Sequence, residues 1–324
     1  MTPPVLSFVI PVRNDADSLR RCLRSIASDR PEVRSEVIVA DNGSTDDSAE
    51  AARTAGATVR SLPGLPVAEV RNRAAATATA ELIAFVDADH ELSPGWAQAA
   101  VEFMEDRAVA AVGSEYQPTP NGTWVQRIYD RFRTRRTGAS QVDWLPSGNL
   151  VVRRSVFREI GGFDAGLESC EDVDLCRRIR RTGGKLLAVE TLRSTHYGDP
   201  KTMSALFFSE LWRGRDNLRV SFREPLTLRS APSVAIPMIN LAASAMALLG
   251  LAMSAKGGLW ISAGALLVIL AFALLRAVLL FSRTPAGQRS IGEAARTFVV
   301  ALTYDLARAM ALVVRVGHAV RRKG

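Results

Sequence analysis

Cysteine is scarce in this chain of 324 residues, which holds three, at Cys22, Cys170 and Cys176. An odd number without metal-like spacing excludes a disulfide framework and a zinc module, and fits reduced thiols. Histidine is equally rare, also three, which makes His196 conspicuous. A secretory leader is missing from the opening residues: the apolar stretch Val5 to Val12 is short, is interrupted by Pro11 and has no basic start. The expectation is that the part of the chain that begins here stays inside the cell. No repeat period and no low-complexity tract is present. Helix-turn-helix, zinc-ligand and aromatic RNA-binding patterns are absent as well. The net charge of +8 is therefore read as affinity for anionic headgroups and phosphates, with membrane lipids as partners and no nucleic acid.

Long apolar runs are missing from the first two thirds of the chain and concentrated in the last. Composition changes near Arg229, after which Val234 to Met253 and Gly257 to Leu275 run almost without charge. Each is close to the roughly 20 residues a bilayer requires. Two transmembrane helices are expected, at about 233–253 and 257–281. Arg219, Arg223 and Arg229 precede the first, Arg283, Arg289 and Arg296 follow the second, and only Lys256 lies between. The positive-inside rule then puts both long flanks in the cytoplasm, with Arg276 snorkelling to that same face. Further on, Val299, Leu302, Leu306 and Val313 share one helical face, with Arg296, Tyr304, Arg308, Arg315 and His318 on another. An amphipathic interfacial helix over about 294–320 is expected; a third crossing would bury Asp305, Arg308 and Arg315 at high cost. The expected domains are a catalytic part over 1–222 and a membrane part over 223–324.

The first part alternates. Strands are expected at Val5–Ile10, Glu36–Ala40, Thr58–Arg60, Leu82–Val86 and Leu186–Val189. Helices are expected at Ser18–Ile26, Asp46–Thr54, Val67–Ala78 and Asp172 to about Thr182. This is an α/β pattern that implies a mostly parallel sheet with helices on both faces. Ligands gather outside the carboxyl ends of such strands, at the loops after Ile10, Ala40 and Val86. The last of these reads Asp87-Ala88-Asp89-His90. Alternation puts Asp87 and Asp89 on one face, and paired hard oxygens suit a divalent metal, Mg²⁺ or Mn²⁺, which commonly bridges to a substrate diphosphate. A lone D-x-D is equally a strand end that caps a turn.

Other segments weigh in. Ile10-Pro11-Val12-Arg13-Asn14, Asp41-Asn42-Gly43-Ser44-Thr45-Asp46, Arg71-Asn72-Arg73 and Asp87-Ala88-Asp89 resemble the nucleotide-sugar half of glycosyltransferase family 2. Gly148-Asn149, Arg153-Arg154, Gly161-Gly162-Phe163-Asp164 and Glu171-Asp172-Val173-Asp174 resemble its acceptor side, so the likeness covers roughly Val5 to His196. It implies a GT-A fold and an inverting transfer from a nucleotide-sugar donor. By that resemblance Asp41 hydrogen-bonds the nucleobase, Arg71 sits by base or phosphates, Asp87 reaches the ribose or a metal water, and Asp89 binds the metal. Pro11 and Arg13 would shape the base pocket, and Gly148 joins the donor-binding set. An Asx turn at Asp41 can coexist with its role.

Asp172, with Glu171 beside it, is the candidate general base at the start of its helix; paired acids raise one another's pKa, and a helix-capping role is the alternative. His196 is a candidate further metal ligand. Arg213 and Arg215 could embrace a diphosphate or lipid phosphate. Their segment, Trp212-Arg213-Gly214-Arg215, departs from the Q-x-x-R-W of processive synthases, and two spans are too few to enclose a polymer. Single-sugar transfer to a lipid-linked or saccharide acceptor follows, at the inner face of a bacterial cell membrane by a multi-pass protein. Transfer to a polyprenyl phosphate is the alternative, and a nucleotide-sensing scaffold without turnover a more distant one.

Overall fold

The computed structural model describes residues 4–29, 33–228, 230–253 and 256–315. Arg229, His318 and the 316–320 end of the expected interfacial helix lie outside the described residues. In chain order the elements are β1 (Leu6–Val12), α1 (Ala16–Asp29), β2 (Ser35–Asp41), α2 (Ser48–Thr54), β3 (Thr58–Ser61), α3 (Val67–Ala75), β4 (Leu82–Val86), β5 (His90–Leu92), α4 (Trp96–Phe103), β6 (Val109–Gly113), β7 (Gln117–Pro118) and α5 (Trp124–Asp130). There follow β8 (Ala139–Gln141), β9 (Asn149–Arg153), α6 (Arg154–Glu159), α7 (Glu171–Arg181), β10 (Lys185–Val189), β11 (Ser194–His196), α8 (Met203–Arg213), α9 (Asn217–Ser221), α10 (Ala231–Ala252), α11 (Lys256–Ser282) and α12 (Ile291–Met310). β1 does not stop at Pro11 but carries it, opposite Ala40, in parallel register with β2.

The chain forms two compact units, Met1–Thr119 with Arg133–Gly198, and Pro120–Phe132 with Asp199–Gly324. The second unit takes in Pro120–Phe132 as well as everything from Asp199 on. The reason lies in the second unit's packing: Glu210 of α8 accepts hydrogen bonds from Tyr129 of α5 and Arg308 of α12, which ties α5 and α8 to the C-terminal helices.

The first unit is built on an eight-stranded sheet of order β3-β2-β1-β4-β9-β6-β10-β8. β4, β6 and β9 are buried along their whole length, as strands covered on both faces must be. Period-two alternation sends Phe8, Ile10, Ala84 and Val86 to one core, with Leu19, Ile26 and Trp96, and Val9, Ile83 and Phe85 to the other, with Val70, Phe157 and Leu175. The sheet is mostly parallel, as expected, with two strands reversed: β9 runs antiparallel to both β4 and β6, and β8 antiparallel to β10. The chain leaves β6 at the end where β9 begins, so no crossover is needed. β9 therefore starts beside the point where β4 stops, with Asn149 opposite Val86. A second sheet of three short strands, β5-β11-β7, lies just beyond that end of β4 in sequence and pairs His90 with His196. None of the three cysteines is in a disulfide, and burial raises the Cys22 and Cys176 thiols.

In the second unit, α10 and α11 are long and apolar enough to cross a bilayer. Only 33% and 28% of their apolar windows is buried, and Leu248, Leu267 and Leu274 stand exposed. A soluble core helix would hide such residues; a lipid-facing pair need not. They approach closely where Ser262 Oγ donates to the Ala247 carbonyl at 2.8 Å, and a side chain at Gly250 would meet the Gly258 carbonyl oxygen at 2.5 Å. α12 begins at an N-cap, Ser290, whose hydroxyl accepts from Glu293 N–H. Its apolar face does not stand alone: Leu302 and Leu306 pack on Ala243, Ala247, Ala265 and Ile269 of the two apolar helices. Asp305, expected on no apolar face, is turned inward and takes Arg276 of α11 at 2.7 Å. Val299 and Val313 of the expected apolar face stay exposed.

Candidate active site and metal centre

The end of β4 organises the site. Asp87 N–H donates to the Gly148 carbonyl at 3.2 Å, so the antiparallel start of β9 holds the first carboxylate in place. A side chain at Gly148 would meet Asp87 Oδ2 at 2.6 Å and His90 Nε2 at 3.2 Å; glycine alone leaves that space open. Two residues on, the Asp89 carbonyl accepts from Tyr197 N–H at 2.9 Å, which brings β11 alongside. Cross-strand pairing then sets the His90 and His196 rings 4.8 Å apart.

Asp89, His90 and His196 each present one ligand atom, all within 4.8 Å of one another. His196 Nε2 lies 3.4 Å from Asp89 Oδ2, and His90 Nε2 lies 4.0 Å from Asp89 Oδ1. His90 Nδ1 is hydrogen-bonded to Ser194 Oγ at 2.8 Å, while its Nε2 is buried without a hydrogen-bond partner. An orphaned buried nitrogen costs about 1–3 kcal/mol unless something accepts its lone pair. A metal ion would do so, and a second ring nitrogen held by a hydrogen bond, here to a serine hydroxyl, is what orients a ligating imidazole. Burial, followed by the neighbouring His196, lowers His90 to about 4, keeping the ring in its neutral, metal-binding form. A Cβ at position 198 would overlap Asp89 Oδ2, so Gly198 keeps the cradle open. The donor set, one carboxylate and two imidazoles, fits a divalent ion.

Asp87 joins a second network. Arg71, buried on α3, donates to Asp87 Oδ1 at 2.6 Å and to Glu171 Oε1 at 2.9 Å, and its guanidinium lies over Phe163. Burial opposes its charge, but the two carboxylates outweigh that and raise its pKa further. The sequence placed Arg71 beside base or phosphates; here its two outer nitrogens are committed to the protein's own acids. Glu171 is held in turn, by Arg71 and by Ser147 Oγ at 3.3 Å. Its neighbour Asp172, half-buried at the start of α7, is left the more available carboxyl. Burial first, then the Glu171 charge, raises Asp172 to about 7, against backbone hydrogen bonds from Val173 and Ser147. A carboxyl so placed exchanges a proton near neutrality.

Tyr116 stands where these groups meet. Its ring is edge-on to His90 at 4.4 Å and tilted on His196 at 5.0 Å. Burial and then the charges of Asp87 and Asp172 push its phenol well above its ordinary range, with Asp89 adding to them. Three carboxylates, two from the turn after β4 and one from α7, thus act on one phenol. Asp41 is buried at the end of β2 and accepts Ser44 N–H, three residues on, at 3.0 Å, one residue beyond an Asx turn. Asn14 Oδ1 accepts Thr45 N–H at 2.6 Å and joins that loop to the one after β1, where Arg13 is exposed; Pro11, within β1, is half-buried. Arg213 and Arg215 belong to the second unit. Arg213 donates to Glu210 at 3.1 Å and to the Tyr129 hydroxyl, and Arg215 lies over Trp212. Sequence reasoning passed over His90, Ser194 and Tyr116. His90 carried a signal, one of three histidines directly after the acidic pair; Ser194 and Tyr116 carried none.

Residues 7–161 match the family model described as glycosyl transferase family 2. Glycosyltransferase AglE of Haloferax volcanii is 27% identical over 245 residues, which covers 72% of this chain and 80% of that protein. The pre-mycofactocin glycosyltransferase of Mycobacterium tuberculosis is 31% identical over 194 residues, 56% of this chain but only 40% of the relative. A solved structure titled mannosyltransferase PcManGT from Pyrobaculum calidifontis, in complex with GDP-Man and Mn2+, has a similar fold. Its TM-score is 0.60 at 17% identity, over 95% of this chain and 87% of that one.

Proposed function

We propose, for a chain that belongs to glycosyltransferase family 2, that it moves one sugar from a nucleoside-diphosphate sugar to a hydroxyl of a lipid-linked acceptor, with inversion. One observation supports the reading above the rest: the Asp89, His90 and His196 cluster packs against Tyr116, and the charge of Asp172 acts on that same phenol. Direct displacement needs charge neutralised at the leaving diphosphate and a base at the entering hydroxyl, on opposite sides of one sugar. Mg²⁺ or Mn²⁺ held by Asp89, His90 and His196 would supply the Lewis-acid charge at the diphosphate. The chain's own groups do the rest. Asp172 takes the acceptor proton, with Glu171 fixed beside it by Arg71 and Ser147. Asp87, immobilised by Arg71, and Asp41, in its turn, hold the nucleoside side, with Pro11, Arg13 and Gly148 shaping the walls. The GDP-mannose and Mn²⁺ in the Pyrobaculum protein support the donor class and the metal. The two apolar helices and their arginine flanks support a multi-pass protein of a bacterial cell membrane, its catalytic part cytoplasmic.

Transfer to a polyprenyl phosphate would start from an oxygen already ionised and need no base. The elevated carboxyl of Asp172 favours a hydroxyl acceptor. Purified protein with membrane lipid extract and a panel of nucleotide-sugars is the test: release of nucleoside diphosphate together with a lipid heavier by one sugar is expected. Full turnover by Asp172→Asn would turn the reading to the phosphate acceptor, and no nucleotide release from any donor would remove the enzyme reading.

A further inference from the structure

The first unit holds two tryptophans in opposite settings. Trp96 is fully buried, and its indole N–H donates to Asn149 Oδ1 at 3.0 Å. Trp144, in the loop between β8 and β9, is 50% exposed, the one large apolar side chain left exposed among the described residues of that unit. Its indole makes no hydrogen bond and no ring contact with any described residue. The loop around it is pinned on both sides, since Val142 and Leu145 are buried in the core with Leu175 and Ile179 of α7. An aromatic ring on a loop held so firmly is presented to solvent at a fixed place, which is how scaffolds offer binding groups.

The course of the loop along α7 fixes that place. Asp143 pairs with Arg180 at 3.6 Å, and Leu145 N–H donates to Cys176 Sγ at 3.3 Å. Ser147 reaches Asp172 with its N–H and Glu171 Oε1 with its hydroxyl. Each pair of loop residues thus passes one turn of the helix, and the loop is drawn out towards the carboxyl that takes the acceptor proton. Residues 143, 145 and 147 turn to the helix, and alternation sends Trp144 to the other side. The three residues that follow it span about 10 Å at most, so the indole stands beside the ground in front of Asp172. The face of an aromatic ring is electron-rich, and the C–H face of a sugar ring is flat, apolar and faintly positive. We propose that Trp144 binds the acceptor by stacking on the sugar that presents its hydroxyl to Asp172. The inference rests on the hydroxyl acceptor proposed above and narrows it: the lipid-linked acceptor already carries a sugar, and the accepting hydroxyl belongs to that sugar, not to the lipid.

The test has a binding arm and a kinetic arm. Full-length protein in lauryldimethylamine oxide, a detergent without a sugar, is mixed with methyl glucoside, galactoside, mannoside and rhamnoside in both anomers. Saturation-transfer NMR with irradiation of aromatic protons, which that detergent lacks, then reports which sugar rings lie on an aromatic side chain. Wild type is expected to saturate the ring protons of at least one glycoside. Trp144→Ala and Trp144→Leu should lose that signal, and Trp144→Phe should keep part of it, because only an aromatic face stacks. In turnover with membrane lipid extract as acceptor, Trp144→Ala should raise KM for the extract at least tenfold, with the melting temperature and the calorimetric affinity for nucleoside diphosphate kept. No saturated ring in the wild type, saturation that survives Trp144→Ala, or an unchanged KM for the extract would overturn the assignment. Equal performance of Phe and Leu at 144 would overturn the stacking. Failure of the wild type to release nucleoside diphosphate from any donor would instead count against the enzyme reading, and the binding arm stands apart from it.

Discussion

Both units bury charge, and one network in each does it to opposite ends. In the second, Glu210 is fully buried, yet both its oxygens are taken: Oε1 by the Tyr129 hydroxyl at 2.5 Å and Arg213 at 3.1 Å, Oε2 by Arg308 at 2.8 Å. In the first, Arg71 satisfies Asp87 and Glu171, while His90 Nε2 has no hydrogen-bond partner and Asp172 is driven up towards neutrality. A closed network holds helices together; an open one has capacity left for a ligand. Buried charge by itself therefore says little about function, and the completeness of its pairing says more.

The comparison can be broken most decisively at Asp172. Asp172→Asn keeps shape and removes the proton acceptor, and turnover should fall by about 10²- to 10⁴-fold, the usual worth of a general base. Nucleoside-diphosphate binding should persist, and steady-state kinetics with calorimetry separates the two. The next largest effect is on the closed network. Glu210→Gln leaves Arg213 and Arg308 facing a neutral amide, at a cost of about 3 kcal/mol. A lower melting temperature in detergent with unchanged nucleotide affinity is expected; unchanged stability with lost affinity would reverse the contrast between the units. Ser194→Ala sharpens the open side. It frees the His90 ring, and Mn²⁺ affinity should drop about 10- to 100-fold by the rule for groups that support a ligating imidazole. The smallest effect is on pH. Asp172 works as a carboxylate and its pKa is raised to about 7, so kcat/KM should fall about tenfold per unit as pH drops below that value and level off above it. Stability should move the other way: a carboxyl raised above its unfolded value stabilises the protonated fold, and that contribution is lost as pH rises through about 7. Asp172→Asn should flatten both profiles.

Much of the first unit is legible in sequence because each strand and helix carries its own period. The runs around Val9, Ile38, Ile83 and Leu187 became β1, β2, β4 and β10. The direction of β9 was not legible: Leu150, Val151 and Val152 are buried on both sides, and a continuous apolar run says nothing about orientation. Asp89 and Asp172 could be named because they follow local signals, a strand end and a helix start. His90 as a partner of His196 could not, since the pairing is made by two short strands 104 residues apart in the chain. The commitment of Arg71 to Asp87 and Glu171 is likewise tertiary; at 16 and 100 residues' separation, no window of sequence contains it. In the second unit the apolar helices declare themselves by length, whereas the inward turn of Asp305 depends on where Arg276 lies.

The central claim is that Asp89, His90 and His196 hold one divalent ion. Mn²⁺ bound to the full-length protein reports its ligands directly through the electron spin-echo modulation of coupled nitrogens. Modulation from two imidazoles is predicted for the wild type, from one in His90→Ala, and little retained binding in Asp89→Ala. Bound Mn²⁺ without nitrogen coupling, or coupling that survives His90→Ala undiminished, would contradict it.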